Sequence, residues 1–171
     1  MPKVDAARAA LGALNPDVGV VALRTRLDAR NLPPLVAGAD VVLDCSDNFA
    51  TRHALNRACV AARKPLVSGA AIRFEAQAAV FDLRRDDAPC YACVFPEDGA
   101  VEEVQCSTMG VFAPLTGLVG ALQAMEAAKL ITGAGDPISG KLVLFDAKRA
   151  DWRAVRVTKD PGCAACAPQP S

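Results

Sequence analysis

Two Cys-x-x-Cys pairs, Cys90/Cys93 and Cys163/Cys166, constrain this 171-residue chain more than any other feature. Each pair sits in a Pro- or Gly-bearing turn, Ala88-Pro89-Cys90-Tyr91-Ala92-Cys93 and Pro161-Gly162-Cys163-Ala164-Ala165-Cys166. Such turns let backbone N–H groups point at sulfur. Four thiolates are the donor set of a closed tetrahedral zinc site. The pairs stand about 70 residues apart, too far for a compact finger. A metal there would clip the tail back onto a mid-chain loop. Zinc binding stabilises small model sites by roughly 10–16 kcal/mol, enough to order two weak loops. The competing readings are redox dithiols and unpaired core thiols. A thioredoxin-like dithiol opens a helix directly after a strand, and neither pair is placed so. Four thiolates also leave no coordination position for water, and His53 is the only histidine. The zinc expected is therefore structural.

The remaining composition bounds the class. Hydrophobic residues make up 52% of the chain, which supports a sizeable core in one domain, 1–171. Nineteen basic residues balance 19 acidic ones, so charge supplies no reason to expect nucleic acid or an anionic membrane as partner. No apolar run reaches the roughly 20 residues needed to span a bilayer. The first residues contain no apolar stretch of the signal-peptide kind. Seven cysteines in such a chain point to metal binding before disulfides, and a cytoplasmic location is expected.

Hydrophobic patterning places the elements. Val4–Leu14 reads as a helix stopped by Asn15-Pro16-Asp17, and Val18–Leu23 as a short buried strand. Residues 31–36 form a short helix with Pro33 and Pro34 in its first turn. Asp40–Asp44 has the apolar form of a central parallel strand, and a helix over Ala50–Arg63 follows. Pro65-Leu66-Val67 starts another strand, and Phe74–Leu83 is extended. Residues 84–108 are loop-like, and the knuckle with its crossover loop occupies 88–108. Met109–Ile131 is the longest helix candidate, its Gly117 and Gly120 suggesting close approach to a neighbouring backbone. Leu142–Phe145 and Trp152–Val157 are two final strands, and the second knuckle lies in the tail, 161–171. The alternation implies an α/β fold with a Rossmann-like, mainly parallel sheet and antiparallel C-terminal strands.

In such sheets ligands bind at the carboxyl ends of the strands, and helix N-termini favour phosphate. Asp44-Cys45-Ser46-Asp47-Asn48 lies at such an end. Asp47 could hold Mg²⁺ with substrate phosphates, and Arg52 and Asn56 follow on one helix face. The alternative is that Asp47 and Asn48 merely cap the helix. Lys3, taken alone, is a solvated charge. Cys106, just before the long helix, is either a thiol of lowered pKa able to act as nucleophile or an inert one. Cys45 and Cys59 read as core residues.

Together these motifs resemble the MoeB/ThiF/HesA family of adenylyltransferases acting on ubiquitin-like proteins. The likeness rests on Pro2-Lys3 with Ala6-Ala7, Leu14-Asn15-Pro16, Asp44-Cys45-Ser46-Asp47-Asn48 with Arg52 and Asn56, and Pro65-Leu66-Val67-Ser68-Gly69-Ala70. It continues through Pro89-Cys90-Tyr91-Ala92-Cys93, Cys106, Pro114, Gly117, Gly120, Gln123-Ala124, Glu126, Lys129 and the second knuckle. The resemblance implies ATP-dependent adenylation of the C-terminal glycine of a small Gly-Gly sulfur carrier. Its nearest branch serves molybdenum cofactor biosynthesis, with the thiamine branch a near rival. It further implies that Lys3 contacts ATP phosphates, and that Asp47 supports Mg²⁺ and adenylate formation. Asn48 and Arg52 would line the nucleotide site, and the four knuckle cysteines would bind Zn²⁺. Cys106 matches a position that links covalently to the carrier in some members. Homodimers are expected of the complete enzyme. The family's Gly-rich G-x-G-G-x-G loop is absent from this sequence. The expectation is therefore a chain truncated at its N-terminus, binding ATP poorly alone and prone to associate through an exposed sheet edge. A non-catalytic, zinc-stabilised carrier-binding remnant is the alternative. A nicotinamide-dependent redox enzyme lacks its fingerprint here.

Overall fold

The computed structural model describes residues 1–97 and 110–167. Helix α1 (Lys3–Leu14) opens the chain and is held to the following segment by the Arg24 guanidinium on the buried Asp5 carboxylate, 2.8 Å away. Val18–Leu23 belongs to no strand, contrary to expectation. Its apolar side chains find no neighbouring strand to pair with among the described residues, and Val21 remains exposed. Helix α2 (Leu32–Ala37) follows, with prolines in its first turn as expected.

Strand β1 (Val42–Asp44) leads through the Asp44–Asn48 turn into α3 (Phe49–Ala62). Strands β2 (Leu66–Ile72), β3 (Glu75–Phe81), β4 (Lys141–Asp146) and β5 (Asp151–Arg156) complete one sheet in the order β1-β2-β3-β4-β5. Parallel pairing is confined to β1 with β2, and every later pair is antiparallel. The antiparallel share starts at β2–β3, earlier than the patterning implied. The cause is a two-residue turn, Arg73-Phe74, between partners Ile72 and Glu75. So short a link leaves no room for a crossover, and Arg73 adopts a positive φ of 49° to make it.

Side-chain alternation divides the sheet into two buried faces. Leu66, Ala79 and Phe81 face α3, α2 and a one-turn helix α4 (Tyr91–Val94), forming the larger core with Leu55, Cys59 and Tyr91. Val67 and Val80 face the other way, against Leu130 of helix α5 (Pro114–Thr132). Helix α5 begins five residues later than the Met109 expected, with Pro114 in its first turn.

Gly117 and Gly120 are exposed and approach no backbone; a Cβ there would meet nothing within 4 Å. They sit opposite the buried row Leu115, Val119, Gln123, Glu126 and Leu130. Close approach occurs instead at Gly69 of β2, where a Cβ would lie 2.4 Å from the Gln123 side chain. Gln123, 2% exposed, donates from Nε2 to the Asp44 carbonyl at 2.8 Å and the Val67 carbonyl at 3.1 Å. The glycine admits this amide, and the amide ties α5 to the turn after β1. Glu126 likewise joins Lys129 Nζ at 2.6 Å and accepts the Ile138 N–H at 2.9 Å, fixing the loop into β4. No helix among the described residues is long and apolar enough to cross a membrane.

Candidate active site and metal centre

The turn after β1 is built around a buried carboxylate. Asp44, 1% exposed, accepts the Ser46 N–H and hydroxyl at 2.9 and 2.6 Å. These bonds aim the next residues outward. Asn48 then caps α3, its Oδ1 accepting the Thr51 N–H at 2.8 Å. The capping alternative thus describes Asn48. Asp47, by contrast, is exposed, and its carboxylate accepts from the Asn48 amide at 3.4 Å. Arg52, one turn into the helix, donates to the Ser46 carbonyl at 2.8 Å and lies over the Phe49 ring.

These residues line a cavity of about 460 Å³ between the start of α3 and the sheet. Register explains its other wall. Ala70, Gln77, Leu144 and Arg153 are successive cross-strand partners, as are Ile72, Glu75, Asp146 and Asp151, and both rows line the cavity. Patterning alone did not reveal this wall, because it depends on the Arg73-Phe74 turn that sets the register. The cavity carries arginines and carboxylates together. Arg149 lies 3.4 Å from Asp146, and Arg153 lies 2.8 Å from Asp151. It offers Asp47 to a divalent cation, the α3 N-terminus and Arg52 to phosphate, and extended strand surface to a peptide.

The structure brings Asp47, Asn48 and Arg52 together. Lys3, exposed on the first turn of α1, does not line the cavity. Cys106 lies outside the described residues. Asn56, expected to accompany Arg52, is fully buried and turns to the cysteine cluster instead. Of the two cysteines read as core, Cys59 is buried, and its environment pushes the thiol up to about 12. Cys45 is exposed, with its sulfur 3.5 Å from the Gln123 amide oxygen, because the outward turn carries it off the core face.

Cys90, Cys93, Cys163 and Cys166 converge, all four sulfurs within 4.8 Å of one another. Tetrahedral thiolates around zinc at about 2.3 Å would stand about 3.8 Å apart. The contacts observed are 3.7 Å for Cys90–Cys163, 3.8 Å for Cys90–Cys93 and 3.5 Å for Cys93–Cys166. These are tetrahedral edges, far longer than a disulfide bond, and the donor set fits a metal ion of zinc's size. The Cys90 and Asp160 N–H groups point at Cys93 Sγ at 3.4 and 3.5 Å, the sulfur-facing amides expected of knuckle turns. Contrary to expectation, the first pair does open a helix: Cys90 is the N-cap of α4, although a loop separates it from β3. Burial pushes the Cys90 thiol up to about 11, while the Asn56 amide pulls the other way. For Cys163 burial also acts upward, but the N–H groups of Ala165 and Cys166 together with the Cys90 and Cys166 side chains outweigh it and hold the thiol below its ordinary value. Lys159 Nζ on the Asp86 carbonyl, 2.7 Å away, adds a second tie between tail and loop.

His53 takes no part in the cluster. It lies buried between Phe49 and Tyr91, where loss of hydration lowers its pKa.

A strand-end cavity at a helix N-terminus, braced by a tail-to-loop cysteine cluster, defines the class. The chain belongs to the ThiF family, whose sequence pattern matches residues 1–165. It is 46% identical over 165 residues to the molybdopterin-synthase adenylyltransferase of Escherichia coli (strain K12), covering 96% of this chain and 66% of that protein. It is 42% identical over 172 residues to the adenylyltransferase and sulfurtransferase MOCS3 of Drosophila grimshawi, covering 99% of this chain and 38% of that one. The chain thus spans less than two thirds of the length of these relatives. The crystal structure of E. coli MccB + ATP shares the fold, with a TM-score of 0.77 at 20% identity over 96% of this chain and 51% of that one.

Proposed function

We propose that this chain forms the carrier-activating part of an adenylyltransferase. The protein would use ATP to adenylate the C-terminal glycine of a small ubiquitin-like sulfur carrier in molybdenum cofactor biosynthesis. The observation that carries the reading is the cavity at the end of β1, where Asp47, Arg52 and the capped start of α3 meet an extended strand wall. The names of the relatives at 46% and 42% identity support the molybdopterin assignment over the thiamine one.

The chemistry needs no histidine base. A terminal carboxylate, with a pKa near 3.5, is ionised at neutral pH. One of its oxygens attacks the α-phosphorus, the bond from that phosphorus to the bridging oxygen breaks, and pyrophosphate leaves. The protein's task is to position the carboxylate and to neutralise phosphate charge. Asp47 would hold Mg²⁺, and Arg52 and the N–H groups of α3 would face phosphate oxygens. Lys3, outside the cavity lining, is assigned to the ATP phosphates on the family resemblance alone, and the strand wall would hold the carrier's Gly-Gly tail. The four cysteines would bind a structural Zn²⁺, which supplies no open coordination position. Cys106 is proposed to face the carrier's tail. A homodimer acting in the cytoplasm completes the reading.

The test is carrier-dependent ATP–pyrophosphate exchange by the protein as its gene encodes it. The expected result is exchange with a Gly-Gly carrier and loss in Asp47→Ala. Zinc and carrier binding without exchange would favour the non-catalytic remnant.

A further inference from the structure

The cysteine cluster has a neighbour that its spacing does not announce. Asn56 lies on α3, one turn beyond Arg52, and is 0% exposed. Its Oδ1 accepts the Tyr91 N–H at 2.9 Å. A backbone N–H can only donate, so this bond settles which way the amide lies. Nδ2 is thereby turned to Cys90 Sγ, 3.5 Å away. A sulfur offers that nitrogen an acceptor, and a metal-bound thiolate is a better acceptor than a thiol because it carries charge.

We propose that Asn56 is an outer-sphere residue of the four-cysteine metal centre, donating to the Cys90 thiolate and clamping α3 to the centre. The proposal rests on the zinc reading above. One side chain thereby holds both the ligand and the residue after it. Tyr91 continues the link: its buried ring packs edge-on against His53 of α3, with ring centroids 5.3 Å apart. Arg52 stands one helical turn from Asn56 along α3. Asn56 acts as a positioning residue for the metal, and the metal centre in turn braces the helix that carries Arg52. A core-filling role for Asn56 would require neither the amide donor nor its orientation.

The experiment reads metal affinity by competition with a chromophoric chelator, on the full chain. Parent protein, Asn56→Ala and Asn56→Asp are compared, with the fold checked by circular dichroism. Asn56→Asp keeps an oxygen for the Tyr91 N–H but replaces the donor with a charge that repels thiolate. Outer-sphere partners of metal ligands are typically worth 10–100-fold in affinity. Both variants are expected to weaken zinc by about that factor. Where Asn56→Ala fails to fold, Asn56→Asp decides. A second measurement needs no substitution: cadmium-113 loaded into the parent should show scalar coupling to the Asn56 side-chain amide protons through sulfur. Folded variants binding zinc within about twofold of parent, or a cadmium-loaded parent with no such coupling, would overturn the proposal. A parent that takes up no metal at all would instead remove the zinc reading beneath it.

Discussion

Gly69→Ala tests the link between α5 and the turn after β1. The new Cβ would stand 2.4 Å from Gln123 Cδ and 2.6 Å from Val119 Cγ1, distances that real Cβ atoms do not show. Both neighbours are buried on a helix packed against β2, so relief requires α5 to lift or Gln123 to leave. Overpacking a core typically costs about 1–3 kcal/mol. Displacing Gln123 also breaks its bonds to the Asp44 and Val67 carbonyls, each worth about 0.5–1.5 kcal/mol. The expected destabilisation is therefore about 2–6 kcal/mol. Urea denaturation followed by circular dichroism measures it directly. With a slope of about 2 kcal/mol/M, the midpoint should fall by roughly 1–3 M. Gly117→Ala is the control, because its Cβ meets nothing within 4 Å and it lies inside a helix. That substitution should stabilise by about 0.5–1 kcal/mol. A Gly69→Ala variant within about 0.5 kcal/mol of parent would refute the packing argument.

Further outcomes follow from other parts of the molecule. Asp47→Ala should lower adenylation at least about 10²-fold while leaving the denaturation midpoint unchanged, since Asp47 is exposed; an equal loss of stability would show a structural role. Glu126→Ala should destabilise by about 1–3 kcal/mol, because it removes the acceptor of the half-buried Ile138 N–H and the ion-pair partner of Lys129, as chemical denaturation can check. Burial pushes Cys59 up to about 12 from an ordinary 9.0, so the native state keeps a proton there that the unfolded chain releases. That contribution is complete below pH 9 and falls away between pH 9 and about 12. In metal-free protein Cys59→Ala should therefore flatten the alkaline decline measured by urea titration across that window, and an unchanged slope would count against it.

What was legible in the sequence depended on local chemistry. Asn48 announces α3 because an N-cap acts through its own side chain on the next turn. The knuckles announce themselves because metal-ligand spacing is itself local, and a tetrahedral four-sulfur donor set requires both pairs to converge. The strand wall was hidden because Arg73-Phe74 contains none of the residues that mark a tight turn, yet it sets the register of β3 against β2. Without that register, Gln77, Asp146 and Arg153 could not be placed in the cavity. The glycines of α5 misled for a related reason: small residues permit close approach but do not compel it, and the approach occurs at Gly69. Asn56 could be placed on the Arg52 face by helical spacing. Its turn toward Cys90 depends on tertiary packing of α4 against α3.

The cavity beside Asp47 is proposed to activate a carrier's terminal carboxylate. Mass spectrometry of a Gly-Gly sulfur carrier incubated with the protein, ATP and Mg²⁺ tests this most directly. The expected result is a carrier heavier by one adenylyl group, a product lost with Asp47→Ala and lost when the carrier's last glycine is removed. An unmodified carrier in the presence of active, zinc-loaded protein would contradict it, as would an adduct that survives loss of that glycine.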